Sequence, residues 1–278
     1  MKRAPARLLI IAGSDSSGGA GLQADIKTAT ALGVYAAAVV TAVTVQDTRG
    51  VHSIYPIPAA VVRDQIACVL DDIGADAIKI GMLGSAEIVE AVAEMLQSAR
   101  QVAIVVDPVL ASTSGALLLE ENAMSDFKTR LLPLTTLLTP NIPEAETLAG
   151  MAIRSTDDMR RAGEDLRTLG AKAVLVKGGH SSGVTIDDVL VSAQGEQVYS
   201  SPRIGSRNTH GTGCTLSTAI ACSLAQGLTL VDSISLAREF VQQAIETAPG
   251  FGHGHGPLNH LHLQKKGCHP RESGDPDA

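Results

Sequence analysis

Short apolar runs alternate with longer segments of helical periodicity along most of this chain. The apolar run at residues 8–12 precedes the amphipathic stretch "LQADIKTATALG", and the pattern recurs at "AAAVVTAVTV", "AIKI", "VAIVVDP", "TTLLTPN" and "AVLVKGG", each next to a helical segment. This alternation predicts a mostly parallel sheet flanked by helices. The segment "TIDDVLVSAQGEQVYSSPRI" alternates apolar and polar residues around Gly195, which predicts an antiparallel hairpin added to the sheet.

The domain organisation follows from the continuity of this pattern. No linker-like change of composition interrupts residues 8–248 and the sequence has no internal repeat, so we predict a single α/β domain over residues 1–262. Residues 263–278 are charged, contain Pro and Gly, and are almost free of large apolar side chains. Because burial cannot offset the entropy of ordering them, we expect a disordered charged tail in which Cys268 has no role.

Composition supports an α/β fold and narrows the partners. With 278 residues, 45% hydrophobic residues, 2% aromatic residues and no Trp, the chain is typical of parallel sheets buried between helices. The formal net charge of -7 argues against nucleic acid, which would call for a basic face. The run at residues 8–12 is too short for a signal peptide or a membrane span, so we expect a cytoplasmic protein without a membrane partner.

The cysteines and the C-terminal histidines form no recognisable metal or disulfide pattern. The four cysteines, Cys68, Cys214, Cys222 and Cys268, show no CxxC pair and no matching His spacing. We expect Cys222 in the core of a helical layer. A Gly-rich segment carries His253, His255, His260 and His262, and its spacing does not predict a metal site.

Polar and Gly-rich sequence follows several predicted strands, where ligands bind in open parallel sheets. After the first strand, "GSDSSGGAGLQAD" offers close backbone approach at Gly13 and a carboxylate at Asp25. After the second, the amide of Gln46 suits the edge of a heteroaromatic ring, and after "AIKI" Met82 offers a polarizable contact. A flexible turn, a surface Asp and a core Met would produce the same pattern.

The same first turn also fits a different class of protein. Gly19 and Gly21 begin a match to G-x-G-x-x-A after a strand, and Asp47 follows the next strand where a ribose-binding acid would lie. This pattern predicts an NAD-dependent oxidoreductase. The turn is longer than a tight dinucleotide fingerprint, and this alternative leaves the lysine and the anion loop described below without a role.

A second group of strand ends carries hard oxygen ligands and a lysine. Asp107 follows "VAIVV", and Asn141 and Glu144 stand three residues apart at the helix start of "TPNIPEAE". Asn141 and Glu144 alone are typical of a capping box, whereas with Asp107 they suit Mg²⁺ held largely through water and phosphate. Lys177 ends the strand "AVLVK" and is either a snorkelling surface lysine or a group that reaches a transferred phosphate.

The stretch "NTHGTGCTLS" is typical of an anion site at a helix start. Gly211, Thr212, Gly213 and Cys214 combine flexible backbone with free N–H groups and the positive end of a helix dipole. The stretch lacks G-x-x-x-x-G-K-[ST] and is therefore not a Walker nucleotide loop. His210, just before it, either touches phosphate or packs the loop.

Taken in order, these motifs resemble one known family. "GSDSSGGAGLQADIKT", "TAVTVQDTRGV", "IKIGMLGS", "VVDPV", "TPNIPEAE", "VLVKGGH", "NTHGTGCTLS" and "GHGPLNH" are similar to those of the hydroxymethylpyrimidine and phosphomethylpyrimidine kinases of thiamine biosynthesis. The resemblance covers residues 8–262 and implies the ribokinase-like three-layer α/β/α fold. It also implies an ATP- and Mg²⁺-dependent enzyme, a homodimer, that phosphorylates 4-amino-5-hydroxymethyl-2-methylpyrimidine to its monophosphate and then to the diphosphate.

The resemblance also implies roles for the candidate residues. One set would surround the pyrimidine: Gly13, Asp25, Gln46, Met82 and Val109. A second set would bind ATP and Mg²⁺: Asp107, Asn141, Glu144 and Lys177. Of these, Asp107 and Glu144 would bind the metal. The catalytic set would be Lys177 with an anion hole made of Gly211, Thr212, Gly213 and Cys214.

Two roles are open for Cys214. The superfamily's sugar kinases place an aspartate base at the position that resembles it, and a thiol at a helix start can have its pKa lowered from about 8.5 to roughly 3.5–7.5, so a thiolate base is one interpretation. In the second transfer the attacking phosphate, with a second pKa of about 6, needs no base. A fixed carboxylate would repel that phosphate, so we hypothesise that Cys214 is present partly because its charge is removable.

Two further functions fit the same motifs. A pyridoxal or pyridoxine kinase belongs to the same superfamily, since some relatives with this type of sequence accept vitamin B6 vitamers. A non-catalytic pyrimidine-binding protein would bind the ligand without forming ADP.

Overall fold

A mixed nine-stranded sheet forms the centre of the described part of the molecule. The computed structural model describes residues 4–99, 101–111, 115, 118–120, 122–180 and 183–263. Of the tail predicted over residues 263–278, the part from residue 264 onward, with Cys268, lies outside the described residues. The strands are β1 (Arg7–Asp15), β2 (Tyr35–Asp47), β3 (Gly50–Pro56), β4 (Ala77–Ile80), β5 (Ala103–Val106), β6 (Leu137–Leu138), β7 (Ala173–Val176), β8 (Thr185–Ser192) and β9 (Gly195–Pro202). Their order across the sheet is β3-β2-β1-β4-β5-β6-β7-β8-β9, and the strands from β2 to β7 run parallel, as predicted.

Antiparallel pairs complete both edges of the sheet. β8 and β9 pair around the turn at Gly195 and confirm the predicted hairpin. β3 pairs antiparallel with the end of β2, and the sequence analysis did not predict this strand. Its sequence "GVHSIYP" lacks clean apolar alternation because the strand lies at the edge of the sheet, where all of its residues are partly or fully exposed.

Helices cover the two faces of the sheet. Those of the described chain are α1 (Gly21–Ala31), α2 (Ala59–Asp72), α3 (Ala86–Leu96), α4 (Ala123–Asp126), α5 (Ile142–Ala149), α6 (Thr156–Thr168), α7 (Thr212–Ala225) and α8 (Leu230–Glu246). Apolar side chains of α2, α3, α5 and α6 pack in one core, and those of α1, α7 and α8 pack in the other. This arrangement confirms the ribokinase-like three-layer α/β/α fold. Within the described ranges, no helix combines the length and the apolar character needed to cross a membrane.

The two-residue period of the strands directs polar side chains to one layer. In β5, Val106 belongs to the α2/α3 core and Val105 to the α1/α7 core. By the same alternation, Lys79 in β4, Asp107 after β5 and Lys177 after β7 face the layer of α1 and α7. Because the carboxyl ends of these parallel strands meet at one edge of the sheet, their polar side chains converge beneath the start of α7.

Candidate active site

The start of α7 lies against the first loop of the chain. Gly211 is the N-cap of α7 with a φ of 84°, in the left-handed region that favours glycine, and within the described residues no side chain caps this helix. The first-turn N–H groups therefore lack a side-chain acceptor at the positive end of the helix dipole. A Cβ on Gly211 would overlap the carbonyl oxygen of Gly19, so only glycine allows this close approach.

A lysine and a carboxylate lie directly beneath this turn. Lys177 Nζ donates to Asp107 Oδ1 at 2.7 Å, and Thr139 Oγ1 donates to the same oxygen at 3.2 Å. A Cβ on Gly213 would lie 3.2 Å from Lys177 Nζ and 3.3 Å from Asp107 Oδ2. Burial acts to lower the pKa of Lys177, but Asp107 and Glu144 outweigh it and raise that pKa, so the ammonium is charged. The structure thus brings together the predicted phosphate lysine, a predicted metal ligand and the anion turn.

Asn141 and Glu144 form a capping box at the start of α5. The Glu144 N–H donates to Asn141 Oδ1 at 2.9 Å, and the Asn141 N–H donates to Glu144 Oε2 at 2.8 Å. The capping interpretation of this pair is therefore confirmed. Burial and then Asp107 raise the pKa of Glu144 to about 7, against the lowering effect of Lys177, so this carboxylate also belongs to the electrostatic environment beneath α7.

The oxygen donors here fit Mg²⁺ bound mainly through water and phosphate. Asp107 and Glu144 place two carboxyl groups in the electrostatic environment of Lys177, and a divalent cation would favour the ionised form of Glu144, whose pKa burial raises to about 7. In kinases Mg²⁺ is held through one or two carboxylates and the substrate phosphates. Among the described residues, no group of three or more His, Cys, Asp or Glu side chains surrounds a metal position.

Cys214 carries a neutral thiol at the start of α7. Burial raises the pKa of Cys214 to about 11; Asp25 and Asp107 act in the same direction, while Lys79 and the Gly21 N–H act to lower it. These surroundings do not favour the thiolate-base interpretation of Cys214, and the removable-charge hypothesis stays a prediction. Withdrawal from water and the two nearby carboxylates outweigh the helix dipole.

A fully buried ion pair joins β4, α1 and α7, and the sequence analysis did not find it. Lys79 Nζ donates to Asp25 Oδ2 at 2.7 Å, Thr218 Oγ1 donates to Asp25 Oδ1 at 2.7 Å, and neither charged side chain has exposed surface. Burial acts to lower the pKa of Lys79, but Asp25 outweighs it, with Asp107 acting in the same direction, so Lys79 is charged. The available signal was a lysine inside the apolar run "AIKI", since a buried ammonium requires an ionic partner.

The residues predicted around the pyrimidine separate into two groups. Met82 is buried in a small apolar cluster against which the partly buried Val109 packs, and a Cβ on Gly13 would lie 3.0 Å from Met82 Sδ. These three residues are therefore neighbours. Asp25 is different, because it is fully buried and its two oxygens already accept hydrogen bonds inside the protein, from Lys79 and Thr218.

His210 packs the loop that precedes α7. Its Nε2 lies 2.8 Å from Asp15 Oδ2 and 3.3 Å from Gln46 Nε2, and a Cβ on Gly19 would overlap its ring. Because His210 is buried, the structure favours loop packing over phosphate contact. Asp15 is a residue that the sequence analysis missed; its signal was a carboxylate at the end of an apolar strand, two residues after Gly13.

Two of the four C-terminal histidines, His260 and His262, pack on α7 and α8. His260 Nε2 lies 3.0 Å from Thr215 Oγ1, and burial lowers the pKa of His260 to about 4. The His262 and Phe240 ring centroids lie 4.5 Å apart. Cys222 is fully buried in the core below α7, as predicted.

The structure accounts for the G-x-G-x-x-A pattern without a dinucleotide. Asp47 lies exposed at the β2–β3 turn, where its Oδ1 accepts the N–H groups of Arg49 and Gly50 at 2.8 and 3.1 Å. A Cβ on Gly19 would overlap the His210 ring, and a Cβ on Gly21 would overlap the Gly13 carbonyl oxygen, so both positions require glycine. The glycines therefore serve the packing of the first loop.

Comparison with known proteins assigns the family. The phosphomethylpyrimidine kinase family model matches residues 15–259. The chain is 45% identical to a hydroxymethylpyrimidine/phosphomethylpyrimidine kinase of Streptomyces coelicolor, over 92% of this chain and 94% of the relative. It is 48% identical to the thiamine biosynthesis bifunctional protein ThiED of Geobacter sulfurreducens, over 94% of this chain and 54% of the relative's length.

Solved structures agree with this assignment at the level of the fold. An ADP complex of Bacillus subtilis pyridoxal kinase matches with a TM-score of 0.86 at 35% identity, over 94% of this chain and 99% of that one. The described strands and helices are those of the same three-layer architecture. With its family motifs placed around the start of α7, this chain belongs to the phosphomethylpyrimidine kinase family.

Proposed function

We propose that this chain is a cytoplasmic enzyme of thiamine biosynthesis that phosphorylates 4-amino-5-hydroxymethyl-2-methylpyrimidine with ATP and then phosphorylates the monophosphate. The observation that carries the proposal is the uncapped start of α7 above Lys177 and Asp107. N–H donors at a helix start beside an ammonium form a site for a phosphoryl group. A relative that is 45% identical over nearly its whole length is named for both transfers.

Phosphoryl transfer depends on positioning and charge stabilisation rather than on covalent chemistry with the protein. The N–H groups of Gly213 and Cys214 would receive the charge that develops on the transferred group, and Lys177 would neutralise it from beneath. Because Asp107 holds Lys177 Nζ at 2.7 Å, the ammonium is fixed before any substrate arrives. Mg²⁺, when bound through Asp107 and Glu144, would neutralise the phosphates of ATP, and Asn141 would lie beside them.

The acceptor would lie between the first loop and the wall formed by Gly13, Met82 and Val109. The amide of Gln46 would hydrogen-bond the edge of the pyrimidine ring. We assign Asp25 to the layer beneath the ring, where it holds Lys79, rather than to a direct contact. The hydroxymethyl group would then point toward the start of α7.

Replacing Cys214 by Asp is expected to reduce phosphorylation of the monophosphate more than that of the alcohol. The neutral thiol lets a phosphate approach α7, whereas an Asp carboxylate adds a fixed negative charge that repels the phosphate. Two like charges about 4 Å apart repel by about 4 kcal/mol at an effective dielectric constant of 20. We expect kcat/KM for the monophosphate to fall at least about tenfold further than that for the alcohol. Cys214→Ser is the matched neutral control, and equal losses on both substrates would refute the removable-charge hypothesis.

The activity itself is tested against its nearest alternative. The similarity to the Bacillus subtilis pyridoxal kinase makes pyridoxal the competing substrate. ADP formation should be measured with Mg²⁺ and with each alcohol in turn, and we expect the higher kcat/KM for the aminopyrimidine. A higher value for pyridoxal would move the assignment to vitamin B6, and binding of the pyrimidine without ADP formation would indicate a non-catalytic binding protein.

We infer a homodimer in which the edge of the sheet is covered. Val43, Val45 and Tyr55 are 44%, 48% and 61% exposed, and Val43 lies directly opposite Tyr55 in the β2–β3 pair. Exposed apolar side chains on an edge hairpin are a typical surface for pairing with another chain. A second copy of this chain would bury them.

Val45→Asp is expected to convert the dimer to a monomer, because it places a charge within that apolar surface. Light scattering coupled to size-exclusion chromatography measures the mass directly. Val231→Asp, at a valine that is 41% exposed on α8, is the matched control and should leave the dimer intact. A monomeric wild-type protein, or a dimer that survives Val45→Asp, would contradict the inferred interface.

A further inference from the structure

The ring of His210 lies between a buried carboxylate and the amide assigned to the substrate. Its Nε2 is 2.8 Å from Asp15 Oδ2 and 3.3 Å from Gln46 Nε2. Asp15 and His210 are only 3% and 7% exposed, whereas Gln46 keeps part of its surface. Because the three residues come from the ends of β1 and β2 and from the loop before α7, the fold alone brings them together.

Asp15 determines which nitrogen of His210 carries hydrogen. The N–H groups of Ser17 and Ala20 each donate to the Asp15 carboxylate at 2.8 Å. Burial acts to raise the pKa of Asp15, but the hydrogen bonds from His210 and Ser17 outweigh it and lower that pKa, so the group is ionised and can only accept. A bare nitrogen would repel this carboxylate oxygen at 2.8 Å. The Nε2 of His210 therefore carries a hydrogen and donates it to Asp15.

This hydrogen in turn selects the orientation of the Gln46 carboxamide. A His210 N–H and a Gln46 NH2 group would face each other as two donors, so the carbonyl oxygen is the atom that belongs toward His210. The NH2 group then takes the position 3.1 Å from Thr44 Oγ1. The Thr44 hydroxyl donates to the Ser14 carbonyl oxygen at 2.9 Å and keeps lone pairs to accept from Gln46.

We propose that Asp15 and His210 are a positioning pair that orients the Gln46 carboxamide for the substrate ring and thereby favours an aminopyrimidine over pyridoxal. This orientation leaves one N–H donor and one carbonyl lone pair of Gln46 in a fixed order along its exposed edge. An aminopyrimidine presents a ring-nitrogen acceptor beside an amino donor, and pyridoxal has no amino group beside its ring nitrogen. The inference rests on the proposed function, in which the hydroxymethyl group points to α7. With that group fixed, the ring cannot turn over to match a Gln46 carboxamide whose donor and acceptor are exchanged.

The first test is made on the full chain without substrate and is independent of the activity. ¹⁵N NMR of protein labelled at histidine reports which ring nitrogen carries hydrogen, and the His210 signals are identified by their loss in His210→Gln. We expect a hydrogen on Nε2 of His210. A bare Nε2 would overturn the proposal, whatever the enzyme phosphorylates.

The second test asks whether His210 acts through Gln46. Gln46→Ala and His210→Phe should each raise the KM for the aminopyrimidine on the order of tenfold, the effect of losing the matched pair of hydrogen bonds to the ring edge, while the KM for ATP is unchanged. The double variant should be no worse than Gln46→Ala alone, because both changes remove the same contact. His210→Gln can still donate to Asp15 and should recover most of the wild-type selectivity over pyridoxal.

Additive effects in the double variant, or a folded His210→Phe with unchanged KM, would overturn the positioning role. If His210→Phe does not fold, the NMR measurement of the His210 ring nitrogens and the His210→Gln variant test the proposal instead. His210→Gln keeps a donor for Asp15, so a folded His210→Gln that loses the selectivity for the aminopyrimidine over pyridoxal would also contradict the proposal. Failure of the proposed function has a different signature. Wild-type protein would then form no ADP with the aminopyrimidine while Nε2 of His210 still carried its hydrogen.

Discussion

Lys177→Met is expected to lower kcat for both phosphoryl transfers by about 10²–10³, the effect of removing one preorganised group that stabilises developing charge. Lys177 Nζ lies beneath the first turn of α7 and is fixed by Asp107 at 2.7 Å. Its loss removes the positive charge from that position and leaves Asp107 and Glu144 without their cation. Turnover should be measured at saturating ATP with the alcohol and with the monophosphate as separate substrates.

The matched control is Lys172→Met, because Lys172 is an exposed lysine just before β7, the strand that Lys177 follows. It should retain wild-type turnover on both substrates. The thermal transition of Lys177→Met must remain near that of the wild type for the comparison to report on chemistry. A folded Lys177→Met with kcat within threefold of the wild type would remove Lys177 from the catalytic set.

Lys79→Met is expected to destabilise the protein by about 3–5 kcal/mol, because it leaves the Asp25 carboxylate buried without its cation. The pair lies 2.7 Å apart with no exposed surface on either side chain. Urea unfolding, followed by circular dichroism, measures the change in the free energy of unfolding. The double variant Lys79→Met/Asp25→Leu should recover most of the loss, since apolar replacement of both members of a buried pair is often neutral.

Lys27→Met is the control for this comparison. Lys27 lies on the exposed side of α1, the helix that carries Asp25, and its Nζ donates to the Gly18 carbonyl oxygen at 2.6 Å, so its replacement should change the free energy of unfolding by no more than about 1 kcal/mol. A loss of less than 1 kcal/mol in Lys79→Met would show that Asp25 is not held as a buried charge. An equal loss in the double variant would assign the effect to packing of the lysine stem rather than to the ion pair.

The layers of the fold were predictable because their strands are buried on both faces. Runs such as "VAIVV" and "AVLV" are apolar at every position, which identifies them as buried strands, and the Gly195 turn identifies the added hairpin. β3 was not predictable from the same signal. It is an edge strand, and its half-exposed residues carry no apolar period.

The candidate site was predictable where a motif keeps its residues adjacent, as in residues 211–214. Pairs that the fold assembles were missed, because Asp15 and His210 lie 195 positions apart in the sequence and Asp25 and Lys79 lie 54 positions apart. The pKa of Cys214 shows the same limit. The helix start is visible in the sequence, whereas the burial and the carboxylates that raise this pKa to about 11 come from other elements.

The central claim is that this chain performs both transfers, and ³¹P NMR of a single reaction tests it most directly. The wild-type protein is incubated with ATP, Mg²⁺ and 4-amino-5-hydroxymethyl-2-methylpyrimidine, and the spectrum is followed with time. We predict a monophosphate resonance that rises and then falls as the two coupled resonances of the pyrimidine diphosphate appear. A monophosphate that persists at long incubation with ATP in excess, or no pyrimidine phosphate at all, would contradict the account.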